Sequence, residues 1–162
     1  MIRVAVLTVS DSCVAGTRED LSGPKLAEAV RELGWTVAQT AVVPDEIQGI
    51  LLALEEMGGA DVILTTGGTG VAPRDVTPEA TLRFSSREVP GIAEVMRAEG
   101  RKSTKFAALS RGIAVTRGTT LVVNFPGSPR GAVESLRAVS DLIPHVVDLL
   151  HGRTGHKQKP SP

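Results

Sequence analysis

Residues 64–80 read LTTGGTGVAPRDVTPEA, with Gly67, Gly68 and Gly70 set around Thr69 and followed by Arg74 and Asp75. Glycine loses more backbone freedom on folding than any other residue. A cluster of it therefore implies a turn with unusual angles or a close approach to the backbone. The N–H groups of such a turn, with the hydroxyls of Thr65, Thr66 and Thr69, suit an anion such as phosphate. A tight strand-to-helix turn is the plainer reading, and the loop alone supports both. Two familiar phosphate loops do not fit. No Lys-Ser or Lys-Thr follows the glycines as in a P-loop, and Pro73 stands where the dinucleotide fingerprint has its third glycine.

The charged pair narrows the chemistry. An arginine such as Arg74 can grip phosphate through two parallel hydrogen bonds. A carboxylate beside phosphate repels it unless a cation lies between them. Mg²⁺ takes one or two carboxylates together with phosphate oxygens. Asp75 therefore suggests a Mg²⁺-bridged polyphosphate; a surface pair with Arg74, or a helix cap, is the structural alternative. Asp45, in VVPDE, is a second carboxylate after a predicted strand, or a helix N-cap. Ser128-Pro129 suits an N-cap and first helical position, and would aim the free N–H groups of a helix at the strand ends. Capping alone also accounts for that pair. His145, His151 and His156 all come late in the chain, away from these loops, so a histidine base or zinc site is not expected. Cys13, the single cysteine, excludes an internal disulfide and a thiolate metal cluster. Without a base, the attacking group can itself be a phosphate. The second pKa of a monoester lies near ~6, so it is mostly dianionic at neutral pH. Positioning and Mg²⁺ would then suffice for transfer between phosphates.

These loops need elements to hold them. RVAVLTVS (3–10), WTVAQTAVV (35–43) and DVILTT (61–66) read as strands, and GIAVTRGTTLVVN (112–124) as two strands around Arg117-Gly118. Leu26, Ala29, Val30 and Leu33, and then Ile47, Ile50, Leu51 and Leu54, repeat at helical spacing. Residues 78–84, with Thr77 as N-cap, and 90–99 read as further helices; 103–111 is ambiguous. Apolar positions from Ala132 to Leu150 trace one long helix bent at Pro144. Strands alternating with helices predict a three-layer α/β/α domain, its sheet mostly parallel with one antiparallel hairpin strand. Ligands in such folds bind outside the carboxyl ends of the strands. Ser10-Asp11-Ser12, the glycine loop and Asn124 with PGSP all fall there.

The chain has 162 residues, which favours one domain over 1–152; the polar 153–162 is expected to be a disordered tail. Lys plus Arg and Asp plus Glu are both 18, so nothing draws it to nucleic acid in general. With no Tyr, one Trp and three Phe, a base-stacking platform is not expected. The first residues do not read as a signal peptide, and no stretch reaches the ~20 apolar residues of a membrane span. A soluble, cytoplasmic protein is expected.

TVSDS (8–12), DLSGPKLAEA (20–29), VVPDE (42–46), the 64–80 block, ALSRG (108–112) and NFPGSPRGAVESL (124–136) resemble, in order, the MogA/MoaB family of molybdopterin adenylyltransferases. VAPRD and PDE look more like its MogA branch. The resemblance implies a three-layer α/β domain, a homotrimer, and adenylylation of the terminal phosphate of molybdopterin by ATP with Mg²⁺. Pyrophosphate leaves, and a molybdenum-inserting transferase takes the product. It puts the catalytic, Mg²⁺-binding carboxylate at Asp75 and a second acidic position at Asp45. The nucleotide loop falls on Gly67, Gly68, Thr69 and Gly70. The pterin-side positions fall on Ser110, Asn124, Pro126, Gly127 and Ser128, with Asp11 and Ser12 on the same edge. A non-catalytic carrier of molybdopterin is the alternative, and Asp75 separates the two: a carrier has no need of a carboxylate against a phosphate loop.

Overall fold

The structure, a computed structural model, describes residues 1–155; residues 156–162 of the expected tail lie outside it. The elements are β1 (Arg3–Val9), α1 (Asp11–Val14), α2 (Ser22–Glu32), β2 (Thr36–Val43), α3 (Ile47–Glu56), β3 (Val62–Thr66), α4 (Thr77–Phe84), β4 (Arg87–Glu88), α5 (Pro90–Ser103), a 3₁₀ turn (Lys105–Leu109), β5 (Ala114–Arg117), β6 (Thr120–Phe125), α6 (Pro129–Val139) and α7 (Ile143–Leu150). The sheet runs β2-β1-β3-β6-β5-β4. β1, β2, β3 and β6 are parallel, and β5 is antiparallel to both of its neighbours. This is the three-layer α/β/α arrangement, with the mostly parallel sheet and antiparallel hairpin that the sequence predicts.

Burial on both faces explains the unbroken apolar runs of the central strands. Alternate residues feed two cores. Val4, Val6, Val62, Leu64, Leu121, Val123 and Phe125 pack with Leu26, Met96, Leu136 and Ile143 from α2, α5, α6 and α7. Ala5, Leu7, Ile63 and Val122 pack with Ile50 and Leu54 of α3 and Ala80 and Phe84 of α4. From β1 the chain crosses to β2 on one side and then to β3 on the other. That reversal opens a crevice at the carboxyl ends of β1 and β3, where ligands of such sheets bind.

Three expectations are corrected. The long last helix is two: α6 stops at Val139, and Pro144 sits in the first turn of α7, where its missing N–H is harmless, rather than bending a continuous helix. Thr77 is helical rather than a cap, because its hydroxyl bonds elsewhere; Val76 is the N-cap of α4. α5 runs through Gly100 to Ser103. A Cβ at Gly100 would stand 2.9 Å from the Ala107 side chain, so this glycine lets the 3₁₀ turn close on the helix instead of ending it. α1 and β4 were not foreseen; at 4 and 2 residues they carry no periodicity. His151 pairs with Asp61 (2.9 Å) at the amino end of β3, the edge opposite the glycine loop.

Candidate active site

Gly67 and Gly68 have φ of 101° and 68°, in the left-handed region. A Cβ on Gly67 would lie 2.2 Å from the Val9 carbonyl oxygen, and one on Gly68 2.2 Å from Thr77 Oγ1. The end of β3 thus presses on β1 and on the start of α4. Thr77 Oγ1 donates to the Gly67 carbonyl (2.9 Å), and Thr77 N–H to that of Gly68 (3.1 Å). Beneath the loop, Thr66 Oγ1 donates to the Pro126 carbonyl (2.7 Å). Asn124 Nδ2 donates to Thr65 Oγ1 (3.0 Å) and Thr81 Oγ1 (2.9 Å), and its Oδ1 accepts from Ile113 N–H (3.2 Å). Asn124, Thr65 and Thr66 are fully buried. Buried polar side chains need internal partners, and these have them. Asn124, expected on the pterin side, and Thr65, expected to face an anion, instead clasp the ends of β3 and β6 from below; Thr66 also ties the loop but lines the smaller cavity.

Asp75 closes the loop that Gly70 opens. Its Oδ2 accepts from Ala72 N–H (3.0 Å), and a Cβ on Gly70 would lie 2.7 Å from that oxygen. Only a residue without a side chain leaves the carboxylate this place. Asp75 caps no helix and does not pair with Arg74. Arg74 reaches Asp11 instead, with Nε to Oδ2 at 2.5 Å and Nη2 to Oδ1 at 3.0 Å, and approaches Glu46 at 3.8 Å. The guanidinium, helped by the Asp45 N–H, holds the Asp11 carboxyl below the usual range. Asp11 and Asp45 exchange bonds: Asp11 N–H donates to Asp45 Oδ2 (2.9 Å), and Asp45 N–H to Asp11 Oδ1 (3.0 Å). Burial pushes the Asp45 carboxyl up; the Asp11 N–H opposes this, and the charges of Asp11 and Asp75 reinforce it. Asp45 does not cap α3, whose N-cap is Glu46.

Two cavities open at this edge. The larger, about 540 Å³, is walled by Met96, Phe106 and Leu109, with Arg97, Ser110, Thr69, Gly70 and Pro126 around them. The smaller, about 300 Å³, is walled by Ser10, Asp20, Asp45, Thr66 and Gly67. Gly68, Asp75, Gly127 and Ser128 line both. The Gly127 Cβ position lies 3.3 Å from Gly67 Cα, so the two loops touch at the seam. Ser128 Oγ accepts from Gly131 N–H (3.1 Å) and caps α6. The apolar walls of the larger cavity suit a flat heteroaromatic ring, and the seam offers backbone N–H groups beside a carboxylate.

Of the expected residues, Asp75, Asp45, Gly67, Gly68, Thr69, Gly70, Ser110, Pro126, Gly127 and Ser128 line one cavity or both; Arg74, Asp11, Ser12 and Asn124 line neither. Ser12 Oγ meets Ser10 Oγ at 3.1 Å. Sequence reasoning missed Arg97, whose Nη1 donates to the carbonyls of Ser110 (3.3 Å) and Gly112 (3.0 Å), and Asp20, which accepts from Thr8 Oγ1 (2.8 Å) and Gly23 N–H (3.0 Å). Asp20 stands in the DLSGP segment, which was a signal; Arg97 lies in an ordinary amphipathic helix, which is none.

Residues 5–145 match the family described as "Probable molybdopterin binding domain". The chain is 44% identical over 156 residues to the molybdenum cofactor synthesis protein cinnamon of Drosophila melanogaster; the match covers 92% of this chain and 26% of that protein, so the chain spans about a quarter of its length. It is 39% identical over 156 residues to the molybdopterin adenylyltransferase of Helicobacter pylori strain J99, covering 93% of this chain and 89% of that one. The crystal structure of the molybdopterin biosynthesis enzyme MoaB from Thermus thermophilus superposes with a TM-score of 0.87 at 48% identity, covering 94% of this chain and 98% of that one.

Proposed function

The chain belongs to the probable molybdopterin binding domain family, and from that premise we propose that it adenylylates molybdopterin. A phosphate oxygen of molybdopterin attacks the α-phosphorus of ATP. The new O–P bond forms as the bond to the β-phosphate oxygen breaks, and pyrophosphate leaves with that electron pair. The observation that carries this reading is Asp75 at the seam of two cavities. Two phosphorylated substrates, one from each side, would meet there.

The pterin lies in the larger cavity, against Phe106 and Leu109 and beside Ser110, Pro126, Gly127 and Ser128. The triphosphate lies along Gly67, Gly68 and Thr69 and the N-terminus of α6. Glycine turns and a helix start both offer N–H groups to anions; at this turn the Gly67 N–H is taken by the Phe125 carbonyl (3.2 Å), which leaves those of Gly68 and Thr69. Asp75 with Asp45 is an oxygen donor set open to phosphate and water, which fits Mg²⁺. Those two residues would hold the ion, which when bound screens the phosphates from the carboxylates and stabilises charge on the leaving group. Arg74 acts through Asp11, whose carboxylate fixes the Asp45 backbone, rather than on phosphate. A MogA-type member, a homotrimer, a cytoplasmic setting and hand-over to a molybdenum-inserting transferase complete the reading. A carrier function would leave Asp75 at the seam without a task.

Incubation with molybdopterin, ATP and Mg²⁺ is expected to give adenylylated pterin and an equal amount of pyrophosphate. Bound pterin without product would favour the carrier. A narrower test uses Gly70→Ala. The added methyl would meet the mobile end of Asp75, not backbone, at 2.7 Å, so the carboxylate swings away and the fold holds. Misplacement on the order of 1 Å can lower turnover by about 100-fold. We expect a loss of that order in kcat with a Tm near wild type; unchanged kcat would mean the Asp75 position is not critical.

A further inference from the structure

We propose that Arg111 is the positioning residue that sets Asp75, a role that rests on the adenylyl-transfer reading. Arg111 stands between the 3₁₀ turn and β5, outside the lining of either cavity. Its hydrogen bonds among the described residues go to the loop that carries Asp75 and to the helix after it. Its backbone N–H donates to the Thr69 carbonyl (2.8 Å). Its Nε donates to the Gly70 carbonyl (2.7 Å), and its Nη2 to the carbonyl of Asp75 itself (2.7 Å). Its Nη1 pairs with the Glu79 carboxylate in the first turn of α4. One planar guanidinium therefore holds both ends of the 70–75 loop and ties them to the helix that follows.

Apart from the Arg74–Asp11 pair, whose side chains are open to solvent, the loop has little else to fix it. Val71, Ala72, Pro73 and Arg74 are exposed. The bonds within it are Asp75 N–H to the Ala72 carbonyl (2.9 Å) and Ala72 N–H to Asp75 Oδ2 (3.0 Å). Both depend on Asp75 being where Arg111 puts it. The Arg111 and Glu79 side chains are 38% and 43% exposed, and ion pairs this open add little to stability. The geometry that the arginine imposes is worth more than the stability it adds. A lysine cannot replace it, because a single ammonium lacks the rigid fork that reaches two carbonyls and a carboxylate at once. The arginine hydrogen bond holds the Glu79 carboxyl below its usual range, against the effect of burial. The clamp thus persists at neutral pH.

The test compares wild type, Arg111→Lys, Arg111→Ala and Glu79→Gln in the full chain. In Arg111→Lys, kcat for pyrophosphate release falls at least ~10-fold. KM for ATP and molybdopterin stays within about threefold, since Arg111 touches neither cavity. Amide exchange at Ala72 and Asp75 quickens in both Arg111 variants. Millimolar guanidinium restores part of the kcat of Arg111→Ala, and ammonium does not. Glu79→Gln, which leaves both carbonyl contacts, loses less than Arg111→Lys. Wild-type kcat in Arg111→Lys with unchanged exchange would overturn the proposal, as would a loss confined to KM. Should Arg111→Ala not fold, the lysine and Glu79→Gln variants still decide. Absence of product from wild type would defeat the functional reading instead, and the exchange data would still judge the clamp.

Discussion

Asp75→Asn is expected to fold as wild type does, to bind molybdopterin within about threefold of wild type, and to lose at least ~100-fold in adenylyl transfer. The amide keeps the shape of the carboxylate. Its oxygen can still accept from Ala72 N–H, now at 3.0 Å, and the space left by Gly70 still admits it. What disappears is the negative charge at the seam. Mg²⁺ relies on one or two carboxylates and the substrate's own phosphates, so removal of one strips a main protein ligand. Asp45 does not compensate, because it already serves as the other carboxylate and its Oδ2 is engaged by the Asp11 N–H (2.9 Å). Pyrophosphate release at saturating substrates, with pterin fluorescence for binding, checks both halves. Wild-type turnover in this variant would remove the metal and catalytic roles of Asp75 together.

Gly67→Ala has the largest expected effect on the fold. The residue sits at φ 101°, and its Cβ would fall 2.2 Å from the Val9 carbonyl oxygen and 3.3 Å from the carbonyl carbon. Those atoms are backbone of β1, which pairs with both β2 and β3, and cannot swing aside as a side chain does. Backbone strain and overpacking each cost about 1–3 kcal/mol. Together they imply a Tm fall on the order of 10 °C for a domain of this size. Gly118→Ala is the control. It also has positive φ, 56°, but nothing lies within 4 Å of its Cβ position, so about 1–2 kcal/mol of conformational cost is expected. Equal thermal stability in the two variants would show that β3 does not press on β1 at the glycine turn.

The framework was legible because its signals are local. β1, β3 and β6 are largely apolar runs buried on both faces; β3 ends in Thr65-Thr66, β1 leads into Ser10 and β6 into Pro126-Gly127-Ser128, where the crevice lies. Ser128-Pro129 announced the start of α6, and the glycine pair announced its own turn. The limits are equally physical. Asn124 reads as a strand's last residue at the binding edge, yet β6 runs on to Phe125 and Asn124 pairs with Thr65 inside the parallel ladder, which only the register reveals. Arg74 sits beside Asp75 in sequence but bonds to Asp11, 63 positions away. Arg97 and Arg111 work through backbone carbonyls, and no residue type marks a carbonyl as needing a donor. The Asp11–Asp45 exchange of backbone bonds is equally invisible before β1 and β2 are aligned. The reaction itself came from motifs in order along the chain, not from composition.

The most direct measurement is a crystal structure with Mg²⁺ and the non-hydrolysable analogue α,β-methylene ATP. The account predicts the analogue's phosphates over Gly67, Gly68 and Ser128, with the ion between them and the Asp75 carboxylate. A nucleotide seated away from the glycine turn, or an Asp75 side chain directed away from the ion, would contradict it.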